Sequence, residues 1–333
     1  MAMTAYGDIS PRVGIIAEVK MLEHAEPILV LQKFGDAKPQ PKNKGQTVKF
    51  RRPVPFAKAT TALTEGVTPA SQKMAYQDVS VTMAQYGAWT EITDVIADTH
   101  EDPVLQDVTM LLGEQAAETF EALTWGVISG GTSVIYANGT ARNQVNTPVS
   151  LAKLRLASRS LKAQRAKKIT KILAPSVNVG TKGVEAAFVI VAHTDTESDI
   201  RGLAGFKSVS EYGTRQPLCP EEIGSVEEFR FVLSPVLSSL PDAGGAKGTM
   251  LSTGGTSADV YPMIVLSQNC FGIVPLKGNG GPGSITPMIL NPNQPRGNDP
   301  LGQRGSAGWK SFFAAVRLNE LWMSRIEVAV TAL

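Results

Sequence analysis

Hydrophobic and polar positions alternate with period two in two stretches of the first hundred residues. In "TVKFRRPVPF", Val48, Phe50, Val54 and Phe56 share one parity. In "DVSVTM", Val79, Val81 and Met83 do the same. Such alternation predicts half-buried strands. Arg52 interrupts the first, and Pro53 and Pro55 lack the N–H that a ladder needs, which places it at an edge. Between them "AKATTALTEGVTPASQKMAYQ" has almost nothing to bury. Structureless links of that length are uncommon inside a compact domain. The pattern therefore predicts a ribbon that leaves the body, about ten residues per arm, with a reach of ~30 Å. A two-stranded ribbon alone is marginal in water, so it needs a covering surface on this chain or on another copy.

Helical spacing follows. "EDPVLQDVTMLLGEQAAETFEALTWGVISGG" predicts one long helix over 103–128, with Asp102 as cap, Pro103 first and Gly130-Gly131 as stop. Its apolar stripe is read as Val104, Val108, Leu111, Leu112, Ala116, Leu123 and Val127. "NTPVSLAKLRLASRSLKAQRAKK" predicts a second helix, capped by Thr147 and starting at Pro148. Leu151, Leu154 and Leu161 lie on one side of it, and Arg155, Arg159 and Lys162 on another. "KILAP" and "AAFVIVAH" read as buried strands, "TDTESDIRGLAGF" as the start of a short helix, and "EIGSVEEFRFVLSPVL" as strand-forming. "YPMIVLSQNCFGIVPL" reads as a β-rich pair. The Gly- and Pro-rich "KGNGGPGSITPMILNPNQPRGNDPLGQRGSAGW" reads as turns and extended chain, and "WKSFFAAVRLNELWMSRIEVAV" as one or two long strands. The fold class is α+β. Residues 1–45 read as an arm and linker, with a short helical pattern broken at Pro27.

Composition narrows the function classes. Of 333 residues, 43% are hydrophobic and 19% charged, an ordinary globular balance. The net charge of +2 gives no case for a dedicated polyanion binder. Two widely spaced cysteines, Cys219 and Cys270, make no disulfide framework and suit a reducing, cytosolic birthplace. The longest clean apolar run, 186–192, is far short of a membrane span, and the first residues do not read as a secretory signal. A soluble protein without membrane partners is expected.

Catalytic constellations are thin. His193, Asp195, Glu197 and Asp199 alternate in "HTDTESD", a pattern open to a hard metal ion, but helix capping after a buried strand is the preferred reading. Asp94, Asp98, Glu101 and Asp102 precede a helix, where the dipole favours negative charge. "STGGTS" and "GNGGPG" match no phosphate-loop spacing. Neither cysteine has a nearby histidine in sequence. No catalytic, cofactor or metal residue is assigned. Eight Lys or Arg and no acidic residue lie between 153 and 171. That run is open to a solvated face, to phosphate contact or to an acidic neighbour. An arm, a ribbon, a rod-like helix and long closing strands suit a surface that tiles with copies of itself.

Five segments, in order, carry a resemblance: "ALTEGVTP", "QYGAWTEITDVIADTHEDPVL", "EIGSVEEFRF", "NCFGIVPLKG" and "PLGQRGSAGWKSFFAAVRLNE". Together, over roughly residues 10–330, the chain resembles the N4-like tailed-phage major capsid proteins, which have a Hong Kong 97-like fold. The resemblance implies an amino-terminal arm (1–45), an extended loop (46–92), a peripheral domain with a long spine helix (93–145 and 256–333) and an axial domain (146–255). It implies a structural protein, not an enzyme, whose hexamers and pentamers close an icosahedral shell around double-stranded DNA. The loop then lies across the next protomer, with Phe56, Leu63 and Pro69 as contacts and Lys58 and Glu65 as ion-pair candidates. Arg155, Arg159 and Lys162 become candidates for facing DNA. The location implied is the virion capsid, assembled in the host cytoplasm, with room for scaffold, decoration and portal proteins as partners. The first 40 or so residues show no long acidic or coiled-coil stretch of the kind that acts as an attached scaffold. The other readings are an encapsulin-like nanocompartment shell and a metal-dependent α/β enzyme built on His193 and Asp195.

Overall fold

A computed structural model of the chain describes residues 29–99, 104–169, 186–213, 216–276, 285–295, 297 and 299–333. The "KILAP" strand, the Asp102–Pro103 helix start and the Pro27 break lie outside these residues.

Helix α1 spans Asp94–Thr99, α2 Val104–Ser129, α3 Leu151–Ala163 and α4 Glu197–Arg201. The strands are β1 (Asp36–Ala37), β2 (Thr47–Pro53), β3 (Tyr76–Thr82), β4 (Ala84–Thr93), β5 (Val134–Tyr136), β6 (Phe188–Ala192) and β7 (Lys207–Ser208). They continue with β8 (Glu222–Val226), β9 (Phe229–Leu233), β10 (Tyr261–Leu266), β11 (Phe271–Pro275), β12 (Thr286–Leu290), β13 (Arg304–Arg317) and β14 (Met323–Val328). A five-stranded sheet runs β1-β11-β13-β12, with β4 also paired to β13. A seven-stranded sheet runs β5-β14-β10-β6-β9-β8-β7. The ribbon β2-β3 stands apart from both.

The 26-residue helix α2 is ~39 Å long and sits where the two sheets meet. It buries Leu112, Ala116, Phe120, Trp125 and Ile128 against Trp309 and Phe313 of β13 and against one face of the seven-stranded sheet. Phe120 is the centre of this contact. Its ring centroid lies 5.6 Å from Trp309 in an edge arrangement and 4.8 Å from Phe313. The buried stripe differs from the expected one. Leu111 is exposed, and the buried face includes Thr109, Thr124 and Glu121. Thr124 satisfies its hydroxyl on the Phe120 carbonyl within the helix. Glu121 accepts the Leu31 N–H at 2.9 and 3.2 Å through its two oxygens, and so ties the Leu31–Lys33 turn to α2.

The second core lies on the other face of the seven-stranded sheet. Along β6, Val189 and Val191 face α2, while Phe188, Ile190 and Ala192 face α3. Burial on both faces explains why the run reads as continuously apolar. Helix α3 covers this face with Leu154, Ala157 and Leu161. It starts later than expected. Ser150 is its N-cap, and Thr147 donates its hydroxyl to Asn138 and accepts the Ala329 N–H, which keeps 147–149 outside the helix.

"YPMIVLSQNCFGIVPL" does not pair with itself. β10 pairs antiparallel with β14, and β11 pairs antiparallel with β13, so this segment runs beside the closing strands through both sheets. The Gly- and Pro-rich segment, expected as turns and extended chain, holds strand β12.

Candidate assembly surfaces

The ribbon is anchored at its base and bare beyond it. Val48 and Phe50 of β2 pack with Met83, Val274 and Ala314, so alternation finds a core there. Seven residue pairs then run from Thr47↔Thr82 to Pro53↔Tyr76. Outside the base, polar groups take over. Arg51 donates to both oxygens of Asp78 at 2.8 and 2.9 Å and lies over the Tyr76 ring. The hydrogen bond holds the Asp78 carboxyl below the usual carboxylate range. Arg52, which breaks the alternation, donates to Gln77 at 2.6 Å. Arg51 and Asp78, opposite charges 27 positions apart, become neighbours only through the strand register.

The expected half-buried strand does not continue through Val54 and Phe56. β2 ends at Pro53, and both residues are exposed, because the two prolines stop the ladder and no body surface lies beneath. From residue 51 through residue 78 every residue is exposed. Phe56 is 60% and Leu63 76% exposed. Lys58, Glu65 and Pro69 share this loop, and neither charge makes an ion pair among the described residues. Only sparse internal bonds shape it, including Val67 N–H to the Thr64 carbonyl around Gly66, whose φ of +77° suits a glycine. The stretch that leaves the body, 51–78, is narrower than the expected 46–92, since β4 forms ten pairs with β13 inside the body sheet.

Arg155, Arg159 and Lys162 do share the outer face of α3, but two of them are paired. Arg155 donates to Glu227 at 2.9 and 2.6 Å, and Lys162 to Glu228 at 2.5 Å. Burial alone would raise the Glu228 carboxyl. Hydrogen bonds from Lys162 and Ser158, with the charge of Lys168, outweigh it and hold the group low. Arg159 is exposed and carries no ion pair among the described residues.

The alternating residues after β6 take separate partners, although His193 Nδ1 stays 3.2 Å from Asp195 Oδ2. His193 Nδ1 accepts the Asp195 N–H at 3.1 Å, which makes His193 itself the cap. Asp195 accepts the Tyr261 hydroxyl at 2.8 Å, Glu197 takes Arg201, and Asp199 takes Thr331. No cluster of metal-ligating side chains occurs among the described residues. Asp94 opens α1, whereas Glu101 and Asp102 lie outside the described residues. "STGGTS" is organised by buried Asp259, which accepts the Thr253 and Asp242 N–H groups and the Thr253 hydroxyl. "GNGGPG" lies outside the described residues. Cys219 and Cys270 are buried, and burial pushes each thiol up to about 12, which leaves them poor nucleophiles. No described helix is long and apolar enough to cross a membrane.

Residues 76–319 match the family model described as phage capsid protein. No curated relative matches the sequence. Solved structures match in fold. The capsid of Ralstonia phage GP4 is 12% identical with a TM-score of 0.68, over 90% of this chain and 88% of that one. The Cyanophage Pam1 capsid is 12% identical with a TM-score of 0.60, over 93% of each chain. The Cyanophage P-SCSP1u capsid is 12% identical with a TM-score of 0.58, over 91% and 89%.

Proposed function

We propose that this chain, which belongs to the phage capsid protein family and builds the phage head shell as its major capsid protein, closes that shell through the bare loop of residues 51–78. One observation carries the reading. The loop exposes Phe56, Leu63 and Val67 at the end of a ribbon whose apolar packing among the described residues lies at its base. Apolar side chains on a marginal ribbon gain stability when a neighbour covers them. Phe56, Leu63 and Pro69 then contact the next copy, and Lys58 and Glu65 pair across the boundary.

The finer placement is among N4-like major capsid proteins of Hong Kong 97 type. In that scheme α2 is the spine helix, and the two sheets belong to the peripheral and axial domains. Hexamers and pentamers form an icosahedral shell around double-stranded DNA after assembly in the host cytoplasm. Arg159, with the partly neutralised Arg155 and Lys162, faces the packaged DNA. Scaffold, decoration and portal proteins are further partners.

The test is direct. Expressed chain should give shells or capsomers by negative-stain microscopy. Deleting residues 58–72 should leave a folded subunit that forms no stable shell. Shells of the deletion variant that withstand denaturant as well as the wild type would remove the loop from the function. Changing Arg155, Arg159 and Lys162 together to Gln should weaken DNA retention in a salt-sensitive way. Equal retention at every salt concentration leaves α3 a solvated face.

A further inference from the structure

Where the ribbon joins the body, a cleft of about 370 Å³ lies between them. Phe50 and Arg52, two apart on β2, share the ribbon face that roofs it. Leu318 and Trp322 of the body form its floor, and Lys38 of the arm its side wall. The apolar half depends on Gly272 of β11. With no side chain there, the Phe50 ring settles on that strand beside Leu318. A Cβ at Gly272 would stand 2.8 Å from the ring and 3.3 Å from Leu318. Trp322 spends its indole N–H on the Gln164 carbonyl at 3.1 Å, which leaves its ring to line the cleft. The charged half is unbalanced. Arg51 is matched by Asp78, but Lys38 and Arg52 make no ion pair among the described residues. Lys38 donates to the Lys49 carbonyl at 2.6 Å, with its ammonium 5.4 Å from the Phe50 ring centroid. Arg52 donates through one nitrogen to Gln77 at 2.6 Å and lies 6.0 Å from the Trp322 ring centroid. Against these two cations, Asp36 is the single carboxylate among the described residues that line the cleft.

We propose that this cleft binds a small amphipathic anion: an apolar ring or short alkyl body that ends in a carboxylate, phosphate or sulfonate. The body lies against Phe50, Leu318 and Trp322, and the head sits between Lys38 and Arg52. Small-molecule sites run from about 300 to 1,000 Å³, so the cleft suits a compact ligand. The guanidinium N–H groups that Gln77 leaves free fit a planar oxyanion two at a time, and the Lys38 ammonium adds a point charge. Both cations already stand over aromatic rings, so an anion set between them meets charge and apolar surface together. The bound molecule touches arm, ribbon and body at once and braces the ribbon where its apolar packing stops. The site belongs to a single subunit and does not depend on the shell reading.

The experiment uses the full chain, unassembled, with anilinonaphthalene sulfonate as the fluorescent probe. Saturable binding is expected, with displacement by octanoate. Lys38→Gln combined with Arg52→Gln should weaken the probe several-fold. It should leave phenylnaphthylamine, the same rings without the charge, bound as before. Both side chains are exposed, so this variant should melt as the wild type does. Lys247→Gln, which removes an exposed cation elsewhere, should change nothing. Trp322→Leu should weaken both probes, because the ring is part of the floor. Unchanged sulfonate affinity in the Lys38 and Arg52 variant overturns the site. Displacement by octylamine as effective as by octanoate also overturns it, since Asp36 then governs the choice of charge. Displacement by inorganic phosphate as effective as by octanoate reduces the site to a bare anion contact and overturns the amphipathic ligand. Loss of binding on deletion of residues 58–72, which carry the exposed Leu63 and Val67, places the probe on the loop and overturns the cleft.

Discussion

Strand β6 and the loop 57–75 stand at opposite extremes of the same chain. Every residue of β6 is buried, with alternate side chains feeding two cores. Every residue of the loop is exposed. The body buries most of its large apolar groups, whereas the loop leaves Phe56, Leu63 and Val67 exposed. If the proposed loop contact holds, stability of the single subunit and cohesion of the assembly lie in different segments, and mutation separates them.

The largest effect should come from the body. Phe120→Ala removes the ring that joins α2 to Trp309 and Phe313, and should cost ~3–5 kcal/mol in urea unfolding of the unassembled subunit. A loss below ~1 kcal/mol would contradict the central place given to α2. Next comes Glu121. Burial raises its carboxyl from 4.5 to about 8, against the opposing pull of backbone N–H groups from Leu31, Val30 and Gln32. The folded state thus holds the proton more tightly than the unfolded one. Its stabilising share is complete below pH 4.5 and is lost as pH rises towards 8, a fall of up to ~4 kcal/mol. Glu121→Gln should flatten that slope, measured by thermal melting between pH 5 and 9 on the order of one unit per step. An unchanged slope would move the titration elsewhere. The smallest effect on the subunit should be Leu63→Ser, within ~0.5 kcal/mol by the same unfolding measurement, with a clear drop in shell yield. A destabilised subunit there would erase the contrast between body and loop.

The ribbon was legible because period-two alternation and a long barren link are local signals. Helix α2 was legible because it runs for about seven turns. Its buried face was only partly so: Leu112 and Ala116 were expected, whereas Glu121 is inward because the Leu31 turn docks on it, a contact 90 residues away in sequence. Strand partners were illegible for a similar reason. The β-rich run 261–275 reads as extended, but β10 pairs with β14 and β6, and β11 with β13 and β1. Phe56, Leu63 and Pro69 were named only through the family resemblance, and what the structure adds is that all three are exposed. The basic face of α3 read as charged, and the carboxylates that partly neutralise it came from the β8–β9 turn.

The strand pairs β10–β14 and β11–β13 follow one another through both sheets, stitched between them by Ser267 to Trp322 and by Leu318 and Asn319 to Cys270. Antiparallel rungs lie across the strand direction. A wall pulled along those strands would have to shear many rungs together, whereas a pull at right angles would unzip them singly. The subunit is therefore mechanically anisotropic, stiff along one axis and softer across it. A container assembled from such units inherits its resistance to bursting from how that axis is laid into its surface.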